Sequence, residues 1–229
     1  MAADGTRTAR GTARDRILDT ALTLFYAHGV RAVGVDRIIE ESGVAKATFY
    51  KHFPAKDKLA LAYVEKIDDV CSGQLHGAAE AAGPDPAAQL VGVFDALTGM
   101  CHAEGFRGCA FVNAAAEAEP GSPVHALAVR HKRDVRAWMR RLAERAGAAD
   151  PDQLARTLTL LMDGVLAGGA LAPDPLAAQA AKTAARLLVQ ASVAAAAEAG
   201  APTEAAPAVA SEAGAEAAAD AAARLVRTR

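Results

Sequence analysis

Residues 41–58 read ESGVAKATFYKHFPAKDK. Apolar positions flank one glycine, and Lys46, Thr48, Tyr50, Lys51, His52, Lys56 and Lys58 then crowd into thirteen residues. Just upstream, VDRIIEES (35–42) places Ile38 and Ile39 on the inner side of a short helix. Gly34 can serve as its N-cap, and Asp36 suits the positive end of its dipole. Gly43 ends that helix, because glycine takes the left-handed conformation without strain. Val44 turns back to the core, and a second short helix runs to about His52, which Pro54 cannot continue. Two short helices joined through a glycine turn make a helix-turn-helix, the second sized for the DNA major groove. The spacing puts Ala47, Phe49 and Phe53 on its buried side and leaves Lys46, Thr48, Tyr50, Lys51 and His52 facing out. Lysines supply charge for phosphates, while threonine, tyrosine and histidine supply directional hydrogen bonds. Small Ala45 and Ala47 let the backbone approach the groove. Lys56, in the first turn of the next helix, stands beside amides that favour an anion, a plausible phosphate clamp.

Outward from this stretch, the pattern stays helical. Thr12 with Asp15 begins a helix through Ile17, Ala21, Leu24 and Phe25, which Gly29 stops after His28. Downstream, helices are expected over about 56–77, 86–103, 109–117, 123–146, 151–171 and 175–198, separated by Gly- and Pro-rich turns. Alanine dominates the apolar content and aromatics reach only 4%, which favours an all-α protein of about nine helices over any sheet. Residues 1–11 read as a disordered arm whose arginines, Arg7 and Arg10 among them, suit a minor groove or a solubilising role. Residues 199–229 are an Ala-rich tail with too few large apolar residues to dock.

Residues 1–60 hold ten Lys/Arg against seven Asp/Glu, a net +3, on a chain whose total is -2. A basic head on an acidic body fits a nucleic-acid reader. Adjacent carboxylates such as Glu40–Glu41 and Asp68–Asp69 diverge on a helix and make poor acid–base dyads. With neither a phosphate-loop nor a nucleophile-elbow motif, an enzyme is not expected. Six scattered histidines and three cysteines without metal spacing predict no metal and no cofactor. No apolar run approaches the roughly 18 residues of a membrane span, and the N-terminus lacks a signal-peptide core, so a cytoplasmic location without membrane contact is expected.

The stretch RILDTALTLFYAHGVRAVGVDRIIEESGVAKATFYKHFPAKDKLALAYV resembles the DNA-binding domain of the tetracycline-repressor (TetR/AcrR) family. Phe25, Gly29, Ile38, Gly43, Val44, Thr48, Tyr50, Phe53 and Lys56 fall in register. The resemblance implies three helices for DNA binding and about six more for ligand binding and dimerisation. It also implies that the third helix enters the major groove, with Tyr50, His52 and Lys56 on phosphates. Many members carry serine where Ala45 and Ala55 stand, so two helix caps are missing. The implied layout is 12–55 for the helix-turn-helix domain and 56–198 for the ligand-binding and dimerisation domain.

The expected function is that of a homodimeric repressor on a palindromic double-stranded DNA operator, released by a small hydrophobic effector. The alternative is a constitutive or architectural regulator of the same fold without a ligand. Phe94, Met100, Phe106, Phe111, Asn113, Trp138 and Met162 have the composition of an adaptable pocket wall. The dimer is expected from the last two helices, with Leu161 and Leu188 at its centre. RHKRDVRAWMRRLAER (130–145) reads as a helix with an exposed basic face.

Overall fold

The computed structural model describes residues 11–172 and 174–200, which form nine helices and no strand. Residues 1–10 of the expected arm and 201–229 of the expected tail lie outside the described residues. The packing below belongs to one compact unit ending at Ala197. The first helix, α1 (Ala13–His28), starts at a capping box: Thr12 Oγ1 accepts the Asp15 N–H at 3.2 Å, and Asp15 Oδ2 accepts the Thr12 N–H at 2.9 Å. Then come α2 (Val35–Ser42) and α3 (Lys46–His52), with Gly43 between them at φ 65°. The long α4 spans Lys56–Ala81.

Gly77 is the expected end of α4, yet the helix continues past it. Gly73 and Gly77 lie on its exposed side, while Leu75 and Ala79 are buried, so packing offsets the entropic cost of the glycines. Downstream are α5 (Pro86–Cys101), α6 (Ala110–Glu117), α7 (Pro123–Arg145), α8 (Pro151–Leu171) and α9 (Ala177–Gly200). Asp85, Ser122 and Asp150 cap α5, α7 and α8 with side-chain oxygens, each followed by proline at the first turn.

Two apolar cores share α4. The first joins Ile17, Phe25, Ile38, Phe49, Phe53 and Tyr63 to Phe111, Ala114 and Leu127, and so runs from the three N-terminal helices into α6 and α7. The second gathers Leu75, Leu90, Phe94, Leu97, Met139 and Leu158 with Ala185 and Val189. At Gly92, an added Cβ would lie 2.6 Å from Ala82 Cβ and 3.0 Å from the Ala78 carbonyl oxygen, so α5 crosses α4 at a spacing only glycine allows.

One expectation is corrected here, and another is refined. By length and composition α8 is apolar enough to cross a membrane; one face of it, through Leu154, Leu158, Met162 and Val165, is buried in the second core. Leu161 and Leu188 are partly buried against that core and partly accessible. The open positions are one residue earlier: Leu160 is 70% exposed and Leu187 63%. One residue turns a helix by about 100°, so the exposed stripe runs through Leu160, Gly164, Ala167 and Leu171 on α8 and Ala180, Leu187 and Ala191 on α9.

Candidate nucleic-acid interface

Phe49 and Phe53 anchor α3, their ring centroids 6.3 Å apart, and the guanidinium of Arg14 covers the Phe53 ring at 5.3 Å. Lys46, Tyr50 and Lys51 project outward; Thr48 and His52 are half-buried at the edge of the same face. Ala47, expected on the buried side, is exposed, because the Phe49 and Phe53 rings already fill the contact with α1. The Tyr50 ring stands edge-on to Phe49 at 5.3 Å, which holds the phenol at the surface. Lys46 Nζ lies 3.1 Å from Asp36 Oδ1, and this hydrogen bond, then the charge of Asp36, pushes the lysine pKa up. Neither Ala45 nor Ala55 makes a side-chain cap, so the first amides of α3 and α4 are unsatisfied by protein side chains.

Lys56 is half-buried, and its Nζ donates to the Arg31 carbonyl at 3.1 Å. This bond ties the start of α4 to the turn between α1 and α2. The same turn is held from the far side, where the Arg31 N–H donates to Glu117 Oε2 at 2.6 Å. Gly29, at φ 87°, passes so close beneath Glu117 that an added Cβ would meet Oε1 at 2.3 Å. A second strap sits before α6: Tyr26 Oη donates to the Gly108 carbonyl at 3.0 Å and accepts the Arg107 N–H at 2.9 Å. Burial raises the Tyr26 pKa, against the hydrogen bond from Arg107, so the phenol keeps the proton it donates. The α6 segment is thus held at both ends, to α1 just before the helix and to the α1–α2 turn at its last residue. A crevice of about 500 Å³ opens between the two straps, lined by Phe25, Tyr63, Phe106, Arg107, Asn113 and Glu117 among others.

The seven residues expected to wall a ligand pocket do not converge. Phe106 and Asn113 reach this crevice. Phe94 and Met162 are interior residues of the second core, against which Met100 packs. Phe111 belongs to the first core and stacks on His131 at 3.6 Å. Trp138 meets His76 edge-on beside a smaller crevice of about 200 Å³ on α4 and α7. Helical spacing indicates which side of a helix faces inward, but not whether neighbouring helices already fill the space. Along 130–145 the arginines are exposed as expected, while Lys132 is half-buried and pairs with Asp163 of α8. Burial pushes the Cys71 thiol up to about 11, which keeps it a packing group. Among the described residues no cluster of metal-ligating side chains occurs.

Residues 17–63 match the model of the bacterial regulatory proteins of the tetR family. SCO4454, a TetR-family transcriptional regulator from Streptomyces coelicolor, is 36% identical over 79% of this chain and 96% of its own, with a TM-score of 0.74. The chain belongs to the TetR family. Members of this family are DNA-binding transcriptional regulators, not enzymes. A TetR-type regulator from Streptomyces avermitilis is 31% identical over 80% of this chain and 98% of its own, at a TM-score of 0.69. Among curated relatives, the transcriptional regulator TcmR of Streptomyces glaucescens is 34% identical over 86 residues, 38% of this chain and 37% of TcmR. The chain spans 29% to 41% of the length of the first curated relatives it matches. The straps at Tyr26 and Glu117 have no signature in the sequence, since their partners lie 81 to 86 residues away.

Proposed function

We propose that this TetR-family chain is a homodimeric repressor that reads a two-fold symmetric operator and leaves it when a small, largely apolar molecule binds. The observation that carries the reading is the open face of α3. Lys46, Ala47, Tyr50 and Lys51 lie outward on a helix fixed from behind by Phe49 and Phe53. Thr48 and His52 extend that face, and Lys56 brings a cation to the uncapped start of α4. Dimerisation is supported by the apolar stripe on α8, α9 and the turn between them, where Leu160, Leu171, Leu176 and Leu187 are 63% to 89% exposed. Small residues between the leucines permit close helix approach, and a two-fold axis would pair the stripe with its own copy. Two heads on one dimer call for two half-sites about one helical turn of DNA apart or a multiple of it. The chain would act in the cytoplasm, where that DNA is.

Release requires a ligand that favours the non-binding state by about 5.5 kcal/mol for a near-complete switch. The crevice beneath the α1–α6 straps supplies the room, and α4 carries any shift there to Lys56. The filled interior among α5, α7 and α8 favours a second reading, a constitutive regulator without effector. Selection from random duplexes by the full chain tests the operator reading. Enrichment of paired, inverted half-sites supports it; enrichment of single half-sites, or none, contradicts it.

A further inference from the structure

The geometry points to the Lys46–Asp36 pair as a guanine-reading device, in which Asp36 of α2 positions the Lys46 ammonium on a base edge. The inference rests on the reading of α3 as the helix that enters the major groove. It adds the base that is read and a residue that sets specificity. Lys46 opens α3, and the first residues of a recognition helix are those that meet base edges. Its neighbours Ala45 and Ala47 are small and exposed, so nothing bulky flanks its stem. Its Nζ lies 3.1 Å from Asp36 Oδ1, in the first turn of α2. Arg37, next to Asp36, is turned instead to Glu41 at 2.7 Å.

A lysine ammonium carries three N–H donors and no acceptor. The hydrogen bond to Asp36 pushes the Lys46 pKa up, so all three hydrogens are present. Asp36 takes one, and two remain, directed away from the carboxylate. In the major groove guanine alone presents two acceptors on one base, O6 and N7. Adenine sets its N6 amino donor beside N7, cytosine shows only a donor, and thymine shows one acceptor beside a methyl group. The two remaining donors of Lys46 therefore match guanine. Asp36 also decides where the lysine goes. An untied lysine is a point charge on a flexible stem, and phosphates, which carry no sequence, draw it away from the bases. Held by α2 and offset by a carboxylate, Lys46 keeps its hydrogen bonds but loses much of that pull. Lys56 differs: it donates to a neutral carbonyl, and its charge stays free to act on the backbone.

The test takes a duplex selected by the full chain and exchanges each of its base pairs in turn for the other three. Affinities are measured for the wild type, Lys46→Met, Asp36→Ala and Asp36→Asn. Both side chains are exposed, and thermal melts check that each variant is folded. The wild type should prefer guanine by about tenfold or more at a position that Lys46→Met makes indifferent, with the other positions unchanged. Asp36→Ala should cut the preference there to about threefold or less, and Asp36→Asn, which keeps an acceptor, should restore part of it. Both Asp36 variants should bind scrambled duplexes more tightly, with a salt slope steeper by about one. A purely structural Asp36 would weaken every duplex alike. That result, an unchanged guanine ratio in Asp36→Ala, or a guanine preference that survives Lys46→Met overturns the pair as a reading device. Salt-dependent duplex binding that persists in those cases leaves α3 as the DNA helix, and only its absence in the wild type overturns that reading too.

Discussion

Glu117 satisfies the backbone amide of Arg31, 86 residues away, and the carbonyl of that same residue anchors Lys56. Glu117→Ala is expected to lower stability by about 0.5–1.5 kcal/mol and to weaken operator binding, while Glu117→Gln, which keeps an acceptor, restores part of both. Denaturant melts and duplex titrations measure the two effects; unchanged operator affinity in Glu117→Ala would remove the strap from the account. His131 is the other side chain on which three helices meet. Its Nδ1 lies 2.7 Å from Asp68 of α4, and its ring stacks on Phe111 of α6. Burial lowers its pKa below 6.5, against the raising effects of Asp68 and Asp134, and Lys132 lowers it further. The unfolded chain then binds the proton more readily than the folded one. The contribution of His131 to stability is therefore complete above pH 6.5 and is lost as pH falls through the depressed value. Thermal melts from pH 8 to 5 should show this decline, and His131→Gln should flatten it. The outward positions of Lys46, Tyr50 and Lys51 were legible from helical spacing. Ala47 was not, since a small residue beside two phenylalanines fits either side, and Glu117 was not, since nothing local marks a partner so distant.

The elements show where local chemistry suffices and where packing overrides it. Caps at Thr12, Asp85, Ser122 and Asp150 and the stop at Gly43 are local events, and those helix ends follow from a few adjacent residues. Ala45 and Ala55 are caps without an acceptor, so Ala45→Ser and Ala55→Ser should each raise stability by roughly 1 kcal/mol in thermal melts. The end of α4 obeyed its neighbours instead of its glycines, because Leu75 and Ala79 fasten the segment that Gly73 and Gly77 weaken. Two glycines of the same helix pair should respond oppositely. Gly73 faces open space within a helix, so Gly73→Ala should stabilise by about 0.5–1 kcal/mol. Gly92→Ala forces a Cβ onto Ala82 and the Ala78 carbonyl and should destabilise by about 1–3 kcal/mol. Stabilisation by Gly92→Ala would mean that α4 and α5 sit further apart.

The nine helices among the described residues were readable because most of them carry their own periodicity and are set apart by glycine and proline. Which side of α8 and α9 stays open depends on how deeply the second core takes up each leucine, and spacing alone does not tell Leu160 from Leu161 or Leu187 from Leu188. Leu160→Glu combined with Leu187→Glu should give folded monomers in sedimentation with much weaker duplex binding, whereas Leu158→Glu should unfold the chain from within. Dimers surviving the double change would place the interface elsewhere. DNA binding by α3 and the start of α4 is read out by duplex affinity against salt. With a duplex selected by the full chain, log K should fall steeply with log salt concentration through counterion release, and Lys51→Ala should reduce the slope by about one. Tyr50, Lys51 and Lys56 replaced together by alanine should abolish specific binding while the helical content and the dimer persist. A triple variant that binds the same duplex with unchanged affinity and unchanged salt slope would contradict the account.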